Sequence, residues 1–169
     1  MTMTADEVRA AVEEGQRLRG WIANGYAQVE YLLGDVISKA IAMPEYAPLI
    51  ERLPHRVEKR IAKVRKIVEA EGFFATYRQR LEDLIESFEA HHQTRNLLSH
   101  GFCTAHYTPD GDFGLEFRKW HRDGERNAEL VRTFRLIDLE YVKAQLTHIS
   151  QVALELALTI HEELGMVAG

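Results

Sequence analysis

The stretch FFATYRQRLEDLIESFEAHHQTRNLLSHG, Phe73–Gly101, decides how the chain is read. Tyr77, Leu81, Leu84 and Phe88 recur at spacings of three and four, which marks one face of an α-helix. The spacing predicts a helix from about Phe73 to Leu98, entered after Gly72. Carried forward, the same stripe lands on His91, Arg95 and Leu98. Arg95 therefore stands where an apolar side chain is expected, a costly position for a guanidinium unless something pairs with it.

Beyond Gly101 the period changes. Phe102 to Tyr107, Leu115 to His121 and Leu130 to Arg135 are short, aromatic and β-branched runs. Pro109-Asp110-Gly111-Asp112 and Arg122-Asp123-Gly124-Glu125 separate them, both with turn chemistry, so a small antiparallel meander is expected. From about Ile137 to Leu164 the helical period returns on Leu139, Val142, Leu146, Ile149, Ala153, Leu156 and Ile160.

Upstream, Asp6 to Ala42 reads as one long helix or two in line. Gly15, Gly20, Gly25 and Gly34 lie inside it, and a helix-interior glycine costs about 1 kcal/mol against alanine. A kink near Gly20 or Gly25, or close packing of a neighbour there, would account for them. Met43-Pro44-Glu45-Tyr46-Ala47-Pro48 ends this helix, because proline removes a donor and restricts the residue before it. A second helix is expected from near Pro54 to about Glu71, with Val57, Ile61, Val64 and Val68 on one stripe and Arg52, Arg56, Lys59, Lys63 and Lys66 on another. The fold class expected is mostly α: an up-and-down helical bundle of four to five helices. A three-stranded antiparallel β insertion, about 102–135, precedes the last helix.

At 169 residues with 46% hydrophobic and 28% charged residues, the chain suits one globular domain, 1–169. The single cysteine, Cys103, excludes an internal disulfide and a Cys-x-x-Cys pair, and points to a reducing compartment. No signal-peptide pattern and no run near roughly 20 apolar residues is present, so a cytoplasmic protein without a membrane partner is expected. The net charge of −5 argues weakly against nucleic acid, but its distribution is uneven. Arg52 to Lys66 holds seven Lys/Arg against one acid, and Arg118 to Arg135 six against three.

The sharpest local feature is Arg95-Asn96, three further residues, then His100-Gly101. This resembles the motif of the HEPN superfamily, an Arg followed by a polar residue and, four to six residues on, a His, set in an all-α bundle. The resemblance implies a metal-independent endoribonuclease of toxin or phage-defence type, working as a homodimer whose two motifs share one cleft. Carried over, His100 is the general acid/base, Arg95 the phosphate-binding cation and Asn96 the polar residue beside it. A cognate antitoxin is the protein partner implied, RNA the substrate, and no cofactor is needed. The chemistry is sound: imidazole titrates near neutrality, and guanidinium forks onto phosphate oxygens. On a continuous helix, however, Arg95 and His100 lie about 140° apart, so one chain converges them poorly and two chains about a twofold could reunite them.

Plainer readings stand beside this one. His100 and Gly101 also suit an ordinary helix C-terminus, and a non-catalytic HEPN-like dimerisation or RNA/nucleotide-binding module would keep the same residues. Glu89 and His92 form the Glu-x-x-His of di-iron bundles, but no second copy exists and no metal is expected. His92 falls on the Asn96/His100 face, as a supporting residue or simply exposed. The cations Arg52, Arg56, Lys59, Lys63 and Lys66 either form a solvated face or steer a phosphate backbone. Tyr107, Phe117 and Trp120, near Arg118, Lys119 and Arg122, either stack on RNA bases or hold the sheet in place.

Overall fold

A computed structural model describes residues 3–107 and 113–165. Among these the fold is mostly α, with five α-helices and one three-stranded antiparallel sheet before the final helix, as the period changes predict. In chain order come α1 (Ala5–Ile41), a 3-10 helix (Pro44–Leu49), α2 (Val57–Glu69), a second 3-10 helix (Phe73–Tyr77), α3 (Arg78–Glu89) and α4 (His92–His100). Strands β1 (Phe102–Tyr107), β2 (Phe113–Asp123) and β3 (Arg126–Arg135) then lead into α5 (Leu136–Glu163). No helix of the described residues is long and apolar enough to cross a membrane.

The chain divides into two compact units. One comprises residues up to Gly25 together with His91–Thr147, and so holds α4 and the sheet. Strand order is β1-β2-β3, with Phe102 opposite Arg118 and Gly114 opposite Arg135. Asp123 pairs with Arg126, leaving Gly124 and Glu125 as the turn, and Gly124 takes the left-handed φ of +58° that its Asp-Gly signal foretells. The Pro109–Asp112 turn lies outside the described residues. Leu115, Phe117 and Phe134 are buried, with the two phenyl rings edge to face at 5.8 Å. Gly15 of α1 lies against Leu115, and a Cβ at Gly25 would stand 3.3 Å from Leu146. Close packing accounts for those two glycines, and α1 is one continuous helix from Ala5 to Ile41.

The start of α5 is capped in a way that makes a pH test possible. Asp138 accepts from the Arg135 backbone N–H at 2.9 Å and from its guanidinium at 3.2 Å. The guanidinium hydrogen bond, with the backbone donor behind it, holds the Asp138 carboxyl below its ordinary value. A depressed carboxyl stabilises the fold above its unfolded pKa and loses that contribution as pH falls through the folded value. Asp138→Asn should therefore lower the urea midpoint at neutral pH. The gap to wild type should close as pH falls below the ordinary aspartate range.

The second unit, Tyr26–Ala90 with His148 onward, packs helical segments around Val29, Leu33, Val64, Leu81, Ile85 and Leu156. Tyr46, fully buried in the first 3-10 helix, accepts the Phe74 N–H on its hydroxyl at 2.8 Å. Gly72 just before has φ +141°, and a Cβ there would sit 2.7 Å from that hydroxyl, so only glycine fits. The helix expected over Phe73–Leu98 is consequently three pieces. Its first turn is 3-10, and a second interruption falls at Ala90–His91 between α3 and α4.

Candidate active site

Nine residues, His92–His100, form α4, and all of the motif lies on it. Leu97 and Leu98 are its buried pair, and they hold the helix to the core of its unit. Arg95 and Asn96 are half-buried, while His100 is exposed at the C-terminal end. Arg95 is thus at the margin of the core, not within it. Because residues 95–100 are helical throughout, Arg95 and His100 diverge by about 140° around the axis.

A hydrogen-bonded chain runs along the other edge of the helix. Arg95 Nη1 donates to Asn96 Oδ1 at 2.9 Å, and Asn96 Nδ2 lies 2.9 Å from His92 Nε2. A guanidinium only donates, so the amide oxygen faces Arg95 and the amide nitrogen faces His92. An amide nitrogen also only donates, so His92 Nε2 accepts and the ring proton sits on Nδ1. His92 thus holds the Asn96 amide, and that amide in turn orients Arg95. Burial lowers the pKa of the neighbouring His91 imidazole, favouring its neutral form.

One residue that sequence reasoning missed is Arg19 of α1. Its Nε donates to the Leu98 carbonyl at 2.6 Å and its Nη2 to the Gly101 carbonyl at 3.4 Å, and its guanidinium lies 5.3 Å from the centre of the Phe117 ring. A cation on the last carbonyls of a helix answers both their unmet lone pairs and the negative end of the dipole. Arg19 thereby fixes the turn that carries His100. No local pattern points to it, since its partner is 79 residues away. Gly101 donates its N–H to Leu97 O at 2.7 Å, with extended backbone at φ −77°, in place of the left-handed cap that glycine suggests.

The cations of the second unit are less uniform than one stripe. Arg52 precedes α2 and Arg56 caps it, because the helix starts at Val57, three residues later than expected. Arg52, Arg56, Lys59 and Lys66 are exposed, whereas Lys63 is half-buried and donates to the Leu49 carbonyl at 2.5 Å. Glu89 of the Glu-x-x-His pattern accepts from Arg65 Nη2 at 2.9 Å. Among the described residues, no group of three or more His, Cys, Asp or Glu side chains could hold a metal ion. Of the aromatics, Phe117 belongs to the core while Tyr107 and Trp120 are exposed. Burial pushes the Cys103 thiol up, which suits a packing residue better than a nucleophile. Compared with protein-family models, curated proteins and solved structures, the chain gives no match.

Proposed function

We propose that the chain is a metal-independent endoribonuclease of the HEPN type, acting as a homodimer in the manner of a toxin or phage-defence effector. The observation that carries this reading is α4 itself. A single short helix presents an exposed imidazole, His100, and an Arg95 oriented by a three-residue hydrogen-bonded relay.

In the reaction, one His100 takes the proton of a ribose 2′-OH as its oxygen attacks the adjacent phosphorus. The bond to the 5′-oxygen breaks, and that oxygen takes a proton from water. Arg95 stabilises the charge that builds on the non-bridging oxygens. The products are a 2′,3′-cyclic phosphate and a 5′-hydroxyl. Arg52, Arg56, Lys59, Lys63 and Lys66 supply positive potential that draws RNA, and a cognate antitoxin is the protein such a toxin requires. The second reading is a non-catalytic RNA- or nucleotide-binding dimerisation module. The divergence of Arg95 and His100 on α4 favours it if no second copy docks.

Mixed RNA incubated in excess chelator tests the proposal. Cleavage should persist and leave cyclic phosphate ends, and a substrate carrying a 2′-deoxyribose at the cut site should survive. Loss of cleavage in chelator, or equal cleavage of the deoxy substrate, would sink it.

A further inference from the structure

In the second unit the segment from Pro48 to Pro54 and the start of α2 enclose a cleft of about 600 Å³. Arg52, His55, Arg56, Lys59 and Lys63 line it against one acid, Glu51. Lys66, which sequence spacing groups with these cations, does not line it. Such a volume lies within the range of small-ligand sites, roughly 300–1,000 Å³, and is too confined for a duplex.

The loop that forms one wall is fixed in place from α2. Lys63 Nζ donates to Leu49 O at 2.5 Å, Arg60 Nε to Pro54 O at 2.8 Å, and Arg60 Nη1 to Glu30 O at 3.2 Å. Cations from the helix thus hold both ends of Leu49–Pro54, and prolines at 48 and 54 stiffen it further. With the wall fixed, little ordering remains to oppose binding. Arg52, Arg56 and Lys59 are exposed, and Lys63 keeps donors beyond the one spent on Leu49. Four permanent positive charges on one small concave surface repel each other and are best relieved by a compact polyanion. The lining contains no Phe, Tyr, Trp, Asn or Gln that would read a base.

We propose that this cleft is a binding site for a compact oligophosphate, the triphosphate group of a free nucleotide or of an RNA 5′ end, recognised through its phosphates and not through its base. The site goes beyond the ribonuclease reading and does not rest on it. Arg52 and Arg56 grip phosphate oxygens with paired N–H donors, and Lys59 and Lys63 act as point charges on the terminal groups.

Isothermal titration of the whole chain with inorganic tripolyphosphate tests the site. Tripolyphosphate should bind at least about tenfold more tightly than orthophosphate, and raising salt should weaken it. Arg56→Glu and Lys59→Glu should each lower the affinity by about tenfold or more, while the charge-matched Arg9→Glu should change it less than about twofold. ATP and GTP should match tripolyphosphate to within about threefold. Displacement of tripolyphosphate by 5′-triphosphorylated RNA identifies an RNA end as the source, and displacement by ATP but not by that RNA identifies a free nucleotide. Both results uphold the site. Three results would overturn it: no heat with millimolar tripolyphosphate, equal weakening by Arg9→Glu, or displacement by a 5′-hydroxyl oligonucleotide as effectively as by its triphosphorylated form.

Discussion

His100→Ala and Arg95→Ala should each lower RNA cleavage by about 10² to 10⁴, and an equal mixture of the two inactive proteins should recover about a quarter of wild-type activity. The loss follows from the roles proposed for the two side chains, one moving a proton and the other stabilising charge. The recovery follows from helical phasing. Arg95 and His100 point about 140° apart on α4, so on the proposed dimeric reading a working site takes Arg95 from one copy and His100 from the other. When subunits re-pair at random, half of the dimers are mixed. Each mixed dimer has one site with both groups intact and one with neither. A mixture that stays inactive after verified subunit exchange would show that each chain uses its own pair. Full activity in either single variant would remove that residue from the chemistry.

Phe74→Ala should destabilise the fold by about 3–5 kcal/mol, a large share of the ~5–15 kcal/mol that holds an ordinary domain together. Its ring is fully buried, 5.6 Å from Tyr46 and 5.1 Å from Phe73 between ring centres, so truncation leaves a void among aromatic groups. Tyr46→Phe isolates the polar part of the same cluster. It removes only a hydroxyl, yet it orphans the buried Phe74 N–H, which costs about 1–3 kcal/mol. Urea unfolding followed by circular dichroism reads both. A neutral Tyr46→Phe would mean that the Phe74 N–H finds another acceptor. Since Tyr46 belongs to the 3-10 segment just before the wall of the basic cleft, Tyr46→Phe should also weaken tripolyphosphate binding.

The positions of the helices and strands were legible because their signals are local. The loss of helical period after Gly101, into a short aromatic and β-branched run, foretold β1 to the residue, and Asp123-Gly124 foretold the turn after β2. What the sequence concealed depends on distant partners. The stripe through Phe88, His91, Arg95 and Leu98 runs on in phase across Ala90 and His91, with no glycine or proline to announce a break. Yet α3 ends at Glu89, and the Arg95 N–H bonded to His91 O at 2.9 Å opens α4 as a new helix. The 3-10 turn at Phe73 is set by a tyrosine hydroxyl 28 residues away. Lys63 looked like a member of a solvent stripe because a charged residue's spacing does not reveal that it will reach a carbonyl on a preceding loop. Of the motif, the residues and their helix were legible, and so was their divergence. The link from Arg95 through Asn96 to His92 was visible only as a shared face.

The clamp of Arg19 on α4 also governs when the motif takes shape during synthesis. A helix of nine residues does not persist alone in water, and its closing turn leans on a side chain encoded 79 positions earlier. That contact closes a long loop, so it forms late relative to the local turns around it. A nascent chain that has just emerged through His100 carries every letter of the motif but still lacks the sheet against which α4 packs. On the proposed ribonuclease reading, the chain would in this way stay harmless to the ribosome making it until α1, α4 and the sheet have come together.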